Sequence, residues 1–207
     1  MAHHLDEQEK IEQLKYVWRH YGKWIILGLG ALIIGYIGHV GYSNYQANHA
    51  HKAADLYLTL ESASNDPKKM QSVTEQLMND YADTAYASRA ALVMAKVDFL
   101  YQKTDEAQKK LNWVITNSDE SALKTVAQIR LATLLMDKEQ YQAALVAITK
   151  PYDQTFLPQC LELKGDILRS MGNLKAAKIA YQTTLKMLNV NAPNYFLLEI
   201  KLSELKN

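Results

Sequence analysis

The groups in this chain with the potential for chemistry are three carboxylate pairs, six histidines and one cysteine. Asp105–Glu106, Asp119–Glu120 and Asp137 with Glu139 place two acids close together, a prerequisite for general acid–base work. All three pairs fall at turns or helix starts, where Asp and Glu cap the helix and favour its dipole. His3, His4, His20, His39, His49 and His51 all precede residue 52. The long remainder therefore has no imidazole for a general base, a triad or ordinary zinc ligation. His49-x-His51 has metal-like spacing but stands in a polar stretch that reads as surface. Cys160, alone, can form neither an internal disulfide nor a thiolate metal site, and reads as a small buried apolar residue. Gly28-Leu29-Gly30 sits inside an apolar run rather than between a strand and a helix, so it cradles no phosphate. The residue types predict no catalytic, cofactor-binding or metal-ligating site and no small-molecule substrate.

Charge and apolar patterning predict what does organise the chain. Among 207 residues, 23 Lys and Arg face 22 Asp and Glu. That balance offers no concentrated basic field for nucleic acid. Trp24–Tyr42, which contains IILGLGALIIGYIGHVGY, carries no charged residue other than a titratable His39. As a helix it rises about 27 Å, close to the thickness of a bilayer's hydrocarbon core. Trp18 and Tyr21 precede it and Trp24 begins it, while Tyr42 ends it and Tyr45 follows, an aromatic belt at each interface. Lys10, Lys15, Arg19 and Lys23 lie before the span, and the next basic residue is Lys52. The positive-inside rule then keeps residues 1–23 in the cytoplasm and the bulk outside. The competing reading, a cleaved signal peptide, is disfavoured by Asp6, Glu7, Glu9 and Glu12 in the leader and by the absence of a clean small-x-small cleavage site. Gly28, Ala31, Gly35 and Gly38 share one helical face, where a second membrane helix could approach closely; glycine is also simply tolerated in such spans. The leader, with Leu5, Ile11, Leu14 and Tyr16, reads as a partly amphipathic helix that either binds a partner or lies on the membrane.

Beyond Tyr45 the chain is rich in Ala, Leu, Lys, Gln and Glu, with apolar residues at helical spacing and turn residues between them. Turn or start signals recur at SNDP (64–67), DYADT (80–84), QKTD (102–105), NSDES (117–121), KPYDQ (150–154), SMGN (170–173) and NVNAPN (189–194). Asp66 before Pro67 is a helix start. The β-branched pair Val114–Ile115 hints at a strand but sits within helical periodicity, so the fold class is all-α. Three pairs of small residues then align, each twelve apart: Ala95 and Ala107, Ala132 and Ala144, Gly165 and Ala177. Four residues after each second member stands a larger side chain, Leu111, Ile148 or Tyr181. Small residues at both points let two helices of a hairpin cross closely.

That pattern resembles the tetratricopeptide repeat, which wants small residues at its eighth and twentieth positions. Leu161–Leu185 (LELKGDILRSMGNLKAAKIAYQTTL) is the best copy, with Gly172 at its turn, and Arg130–Ile148 lacks that glycine. The first copy is looser, because Asp98 stands where an apolar residue should pack, and its register is open. Copies are spaced by 37 and then 33 residues. The expected domains are a cytoplasmic segment (1–23), a transmembrane helix (24–42), a helical stalk (43–64) and a tetratricopeptide-like α-solenoid (65–207). Its repeats lie at about 88–118, 121–150 and 158–189, with flanking helices at 68–80 and 193–205, since an array must cap its apolar ends.

With these parts in order, the chain resembles the YfgM family, the ancillary subunit of the bacterial Sec translocon. The likeness is carried by the leader DEQEKIEQLKYVWRHYGK, the glycine-rich span, TAYASRAALVMAK, the three hairpins and the closing LLEIKLSEL. It implies a bacterial inner-membrane protein with a periplasmic repeat domain. The partners it implies are the SecYEG channel and the membrane-anchored periplasmic chaperone PpiD. The chain would then act as an adaptor passing emerging chains to chaperones.

In the tetratricopeptide register the first helix of each hairpin lines the concave side. The inward positions are Arg89, Leu92, Lys96, Phe99, Ile129, Thr133, Met136, Glu162, Asp166 and Arg169. Phe99 and Met136 among charges of both signs suit protein contact. Three alternatives stand beside a translocon adaptor with an open binding face: the chain's own flanking helices cover the face, the protein is a homo-oligomerising membrane scaffold, or it is a periplasmic peptide-binding module unrelated to the translocon.

Overall fold

The computed structural model describes residues 2–149 and 151–205, with side chains from Lys15 onward other than those of Val17 and Ile25. Among the described residues every regular element is helical, as the periodicity predicts, including Val114–Ile115. The faces of the leader helix before Lys15, and Lys150 in the expected turn at 150–154, lie outside what is described. The chain forms two compact units, Met1–His49 and Ala50–Asn207.

The first unit is made by α1 (Ala2–Ser62), a helix long and apolar enough to cross a membrane. Leu32, Ile34 and Leu27 on it are 72%, 73% and 64% exposed. A helix of a water-soluble domain hides such residues, whereas here the apolar surface runs around the cylinder and suits hydrocarbon. From Ala50 the last turns of α1 belong to the second unit, so the residues expected as a stalk divide between the two. There Ala53 and Leu60 are fully buried in a cluster with Val73, Leu77, Ala87 and Ala90, and the Tyr57 and Tyr86 rings lie 5.9 Å apart.

Among the described residues eight further α-helices follow: α2 (Pro67–Asp80), α3 (Ala85–Leu100), α4 (Thr104–Asn117), α5 (Ser121–Asp137), α6 (Tyr141–Ile148), α7 (Leu157–Ser170), α8 (Leu174–Met187) and α9 (Tyr195–Glu204). Local chemistry starts several of them. Asp66 accepts hydrogen bonds from the Lys68 and Lys69 amides, both at 3.1 Å, with Pro67 in the first turn. Thr84 caps α3 through the Ala87 amide, and Asn173 caps α8 through the Ala176 amide.

The hairpins α3–α4, α5–α6 and α7–α8 share one register. All six small residues are buried, and so are Leu111, Ile148 and Tyr181. Seven residues after the first small residue of each hairpin the backbone turns through a positive φ: Gln102 at 62°, Glu139 at 59° and Gly172 at 78°. Only the third hairpin uses glycine, for which this conformation carries no steric cost. The spacing of these turns fixes the register of the first repeat, and identifies Glu139 as standing where the second lacks its glycine. Gly165 shows how tight the crossing is: a Cβ there would fall 2.3 Å from Tyr181 Cε1.

Asp98 also finds its explanation. Its carboxylate accepts a hydrogen bond from Lys110 Nζ at 2.7 Å across α3 and α4, with only 3% and 6% of the two side chains exposed. The equivalent positions in the other hairpins are Leu135 with Ala147 and Leu168 with Ala180. A buried ion pair thus replaces a small apolar contact in the first hairpin.

Candidate functional site

The ten inward residues do not share one environment. In the third hairpin, α9 engages all three. Glu162 accepts from Asn194 Nδ2 at 2.9 Å and Lys201 Nζ at 3.0 Å, Asp166 accepts from Lys201 Nζ at 2.9 Å, and Arg169 pairs with Glu204 at 2.9 Å. Tyr181 donates its hydroxyl to Asp166 at 2.8 Å. Burial, the hydrogen bond to Asp166 and the nearby negative charge all push the Tyr181 phenol up, so it stays protonated. Burial alone would lower the Lys201 ammonium, but its hydrogen bonds to Asp166 and Glu162 outweigh that and hold it above its ordinary value. This part of the face is therefore covered by the C-terminal helix through a polar network.

The first two hairpins are different. Arg89 pairs with Glu120 at 3.4 Å, Leu92 is buried, and Ile129 and Met136 pack half-buried against the core. Lys96, Phe99 and Thr133 instead line an open groove of about 310 Å³. Its floor is the crossing of Ala95 with Ala107, together with Leu111, and its far wall is Leu134 and Arg130 on α5. The small residues that allow the helices to approach also leave the room. Arg130 was absent from the inward set expected from sequence. It donates Nη1–H to the Leu92 carbonyl at 2.9 Å, and partial burial lowers its guanidinium from the ordinary value. A signal for it existed: the matching residues in the other repeats are Val93 and Leu163, so a cation there breaks the apolar pattern.

Three of the paired carboxylates bind basic side chains of this chain. Asp105 is held low by its hydrogen bond to Lys138 and Glu106 by its hydrogen bond to Lys109, both acids lying in the first turn of α4. Glu120 bonds Arg89 rather than capping α5. Among the described residues no group of three His, Cys, Asp or Glu side chains could hold a metal ion. Cys160 is buried, and that burial pushes its thiol up. On α1, Gly28, Ala31, Gly35 and Gly38 are exposed, and a Cβ added at any of the three glycines meets nothing within 4 Å.

Residues 15–207 match the family described as tetratricopeptide repeat-like domain. The chain is 31% identical over 209 residues to the ancillary SecYEG translocon subunit of Neisseria gonorrhoeae, covering all of both proteins. It belongs to that family. The member from Haemophilus influenzae is 30% identical, over 88% of this chain and 90% of its own, and that from Escherichia coli 23% identical, over 87% and 88%. Both are likewise named ancillary SecYEG translocon subunit. The match from residue 15 takes in the apolar part of α1 as well as the hairpins, so the family unit is the helix and the array together.

Proposed function

We propose that the protein is a non-catalytic, membrane-anchored adaptor of the Sec translocon. The observation that carries this reading is the full-length likeness to proteins named ancillary SecYEG translocon subunit. Residues 24–42 span the inner membrane with residues 1–23 cytoplasmic, and the helical array stands in the periplasm. The charge bias before the span supports that orientation. There the array binds periplasmic chaperones or emerging chains, with a membrane-anchored chaperone of the PpiD kind as its partner. Gly28, Ala31, Gly35 and Gly38, all exposed on α1, supply the face on which a neighbouring membrane helix docks.

Affinity purification of the full chain from a gentle detergent tests this. The expected result is co-recovery of SecY together with a membrane-anchored chaperone. Recovery of neither, with the bait intact and helical, refutes the adaptor reading. Protease added to spheroplasts should digest the array from outside, and its protection would reverse the orientation.

A further inference from the structure

The groove between α3 and α5 differs from the rest of the inward face in its charge. Arg89, Lys110, Lys138, Arg169 and Lys201 are each joined to a carboxylate of this chain. Lys96 and Arg130 line one groove, and among the described residues neither is paired with a carboxylate. No acid lines that groove, whose remaining walls are Phe99, Leu111, Leu134 and the two alanines of the crossing, with Thr133 the single neutral polar group. Arg130 is anchored on the Leu92 carbonyl by one of its nitrogens, which holds the guanidinium in place with further N–H groups still to donate. Lys96, on a flexible stem, stands on α3, one turn after the Leu92 carbonyl that holds Arg130.

A cleft of this volume lies at the small end of the range of ligand sites, large enough for one bulky side chain and too short for a folded element. Two cations lining one apolar slot that holds no acid leave a site of net positive charge, which an anion bound there would neutralise. The occupant must therefore bring an apolar side chain and a carboxylate within one or two residues of each other.

We infer that this groove takes an extended acidic–apolar segment of another protein, its bulky side chain on the Ala95–Ala107 floor and its carboxylate between Lys96 and Arg130. The inference rests on the binding role proposed above and names the chemistry of what is bound. It also separates the array by function. The third hairpin is closed by α9 and serves stability, while the first two hold the site.

Fluorescence anisotropy with the full chain in detergent micelles tests it. Three labelled peptides of equal length are compared: one with Phe and Leu among Asp and Glu, one with the acids replaced by Lys, and one with the apolar residues replaced by Ser. The first should bind at least about tenfold tighter than either of the others, and more weakly as salt is raised. Lys96→Glu removes an exposed cation without touching the core; it should weaken the acidic peptide at least about tenfold and improve the basic one. Thr133→Trp fills the groove from a half-buried wall position, clear of the Ala95–Ala107 crossing, and should abolish binding, circular dichroism confirming that the helices persist. Equal binding of the acidic and basic peptides, no binding of either, or indifference to Lys96→Glu in a folded protein overturns the inference. Co-purification of SecY is scored on the same preparations. Loss of peptide discrimination with SecY still recovered refutes the groove alone, and absence of SecY from the unaltered protein refutes the translocon reading alone.

Discussion

Lys110→Ala should be among the most destabilising single changes in the repeat domain. The substitution leaves the Asp98 carboxylate 3% exposed, with its partner at 2.7 Å gone. A charge-assisted hydrogen bond of that length is about twice as strong as a neutral one, but the larger effect is the buried charge left behind. Breaking one side of a buried pair costs about 3–5 kcal/mol, against roughly 5–15 kcal/mol for the whole fold of an ordinary domain. For a unit of this size that corresponds to a fall in Tm of about 6–20 °C. High salt should not mimic it, because a pair this buried is poorly screened.

The other two hairpins supply the control. Leu135 with Ala147 and Leu168 with Ala180 occupy the same two positions, so Asp98→Leu with Lys110→Ala converts the first hairpin to the chemistry of its neighbours. Replacing both ions by a packed apolar pair is commonly neutral or stabilising. The double variant should therefore melt at or above the parent, and far above Lys110→Ala. Thermal unfolding of the full chain in detergent, followed by far-ultraviolet circular dichroism, reads all three. A Lys110→Ala Tm within about 3 °C of the parent, or a double variant as unstable as the single, would show that the pair is hydrated rather than buried, and the reasoning fails.

Other features give sharper local tests. Gly165→Ala should cost about 1–3 kcal/mol, since its Cβ meets the buried Tyr181 ring at 2.3 Å; a Tyr181→Leu background should recover much of the loss. Exchanging turn residues tests the shared register: Gly172→Val should cost at least about 1–2 kcal/mol at its φ of 78°, while Glu139→Gly, at 59°, should be neutral or slightly stabilising by urea titration. Lys201 has a raised folded value, so its contribution is complete below the unfolded lysine value of about 10.4 and is lost as pH rises through the folded one. Tm should fall above that point in the parent and fall less steeply in Lys201→Met; equal alkaline slopes would remove Lys201 from the network's energetics. Cys160, buried with its thiol pushed up, should react with a maleimide only on unfolding, and rapid labelling of the native protein would contradict its place in the core.

What was legible in the sequence is what close helix crossing demands. Ala95, Ala107, Ala132, Ala144, Gly165 and Ala177 had to be small for backbone-level contact, and their twelve-residue interval set the hairpins before any coordinate was needed. Membrane propensity was legible for a similar reason, since no packing partner has to be known to see that 24–42 is apolar on all sides. Asp98 looked like a defect because its compensation comes from α4, although Lys110 stands at the same twelve-residue interval. Arg130 was missed because a position assigned to packing was not expected to reach a groove. The engagement of Glu162, Asp166 and Arg169 by α9 was illegible for a different reason: their partners lie at least 32 residues away, after a loop whose path local patterns do not determine.

These departures from the apolar repeat pattern share a logic. In the first hairpin Asp98 and Lys110 neutralise each other, out of water and away from any ligand. In the third, the acids at 162 and 166 are neutralised by Lys201. In the groove, by contrast, Lys96 and Arg130 line one apolar slot and neither is paired with a carboxylate among the described residues, so like charge there weighs against the unliganded fold. Apart from the single Arg130–Leu92 hydrogen bond the arrangement gains little structurally, and replacing Arg130 by the Leu or Val of its sister repeats would exchange that bond for apolar packing and less like charge. Arg130→Leu is therefore expected to leave Tm unchanged or raise it slightly while weakening the acidic peptide in anisotropy. That opposition of stability and binding separates a site from a packing residue, because a purely structural Arg130 would lose both together.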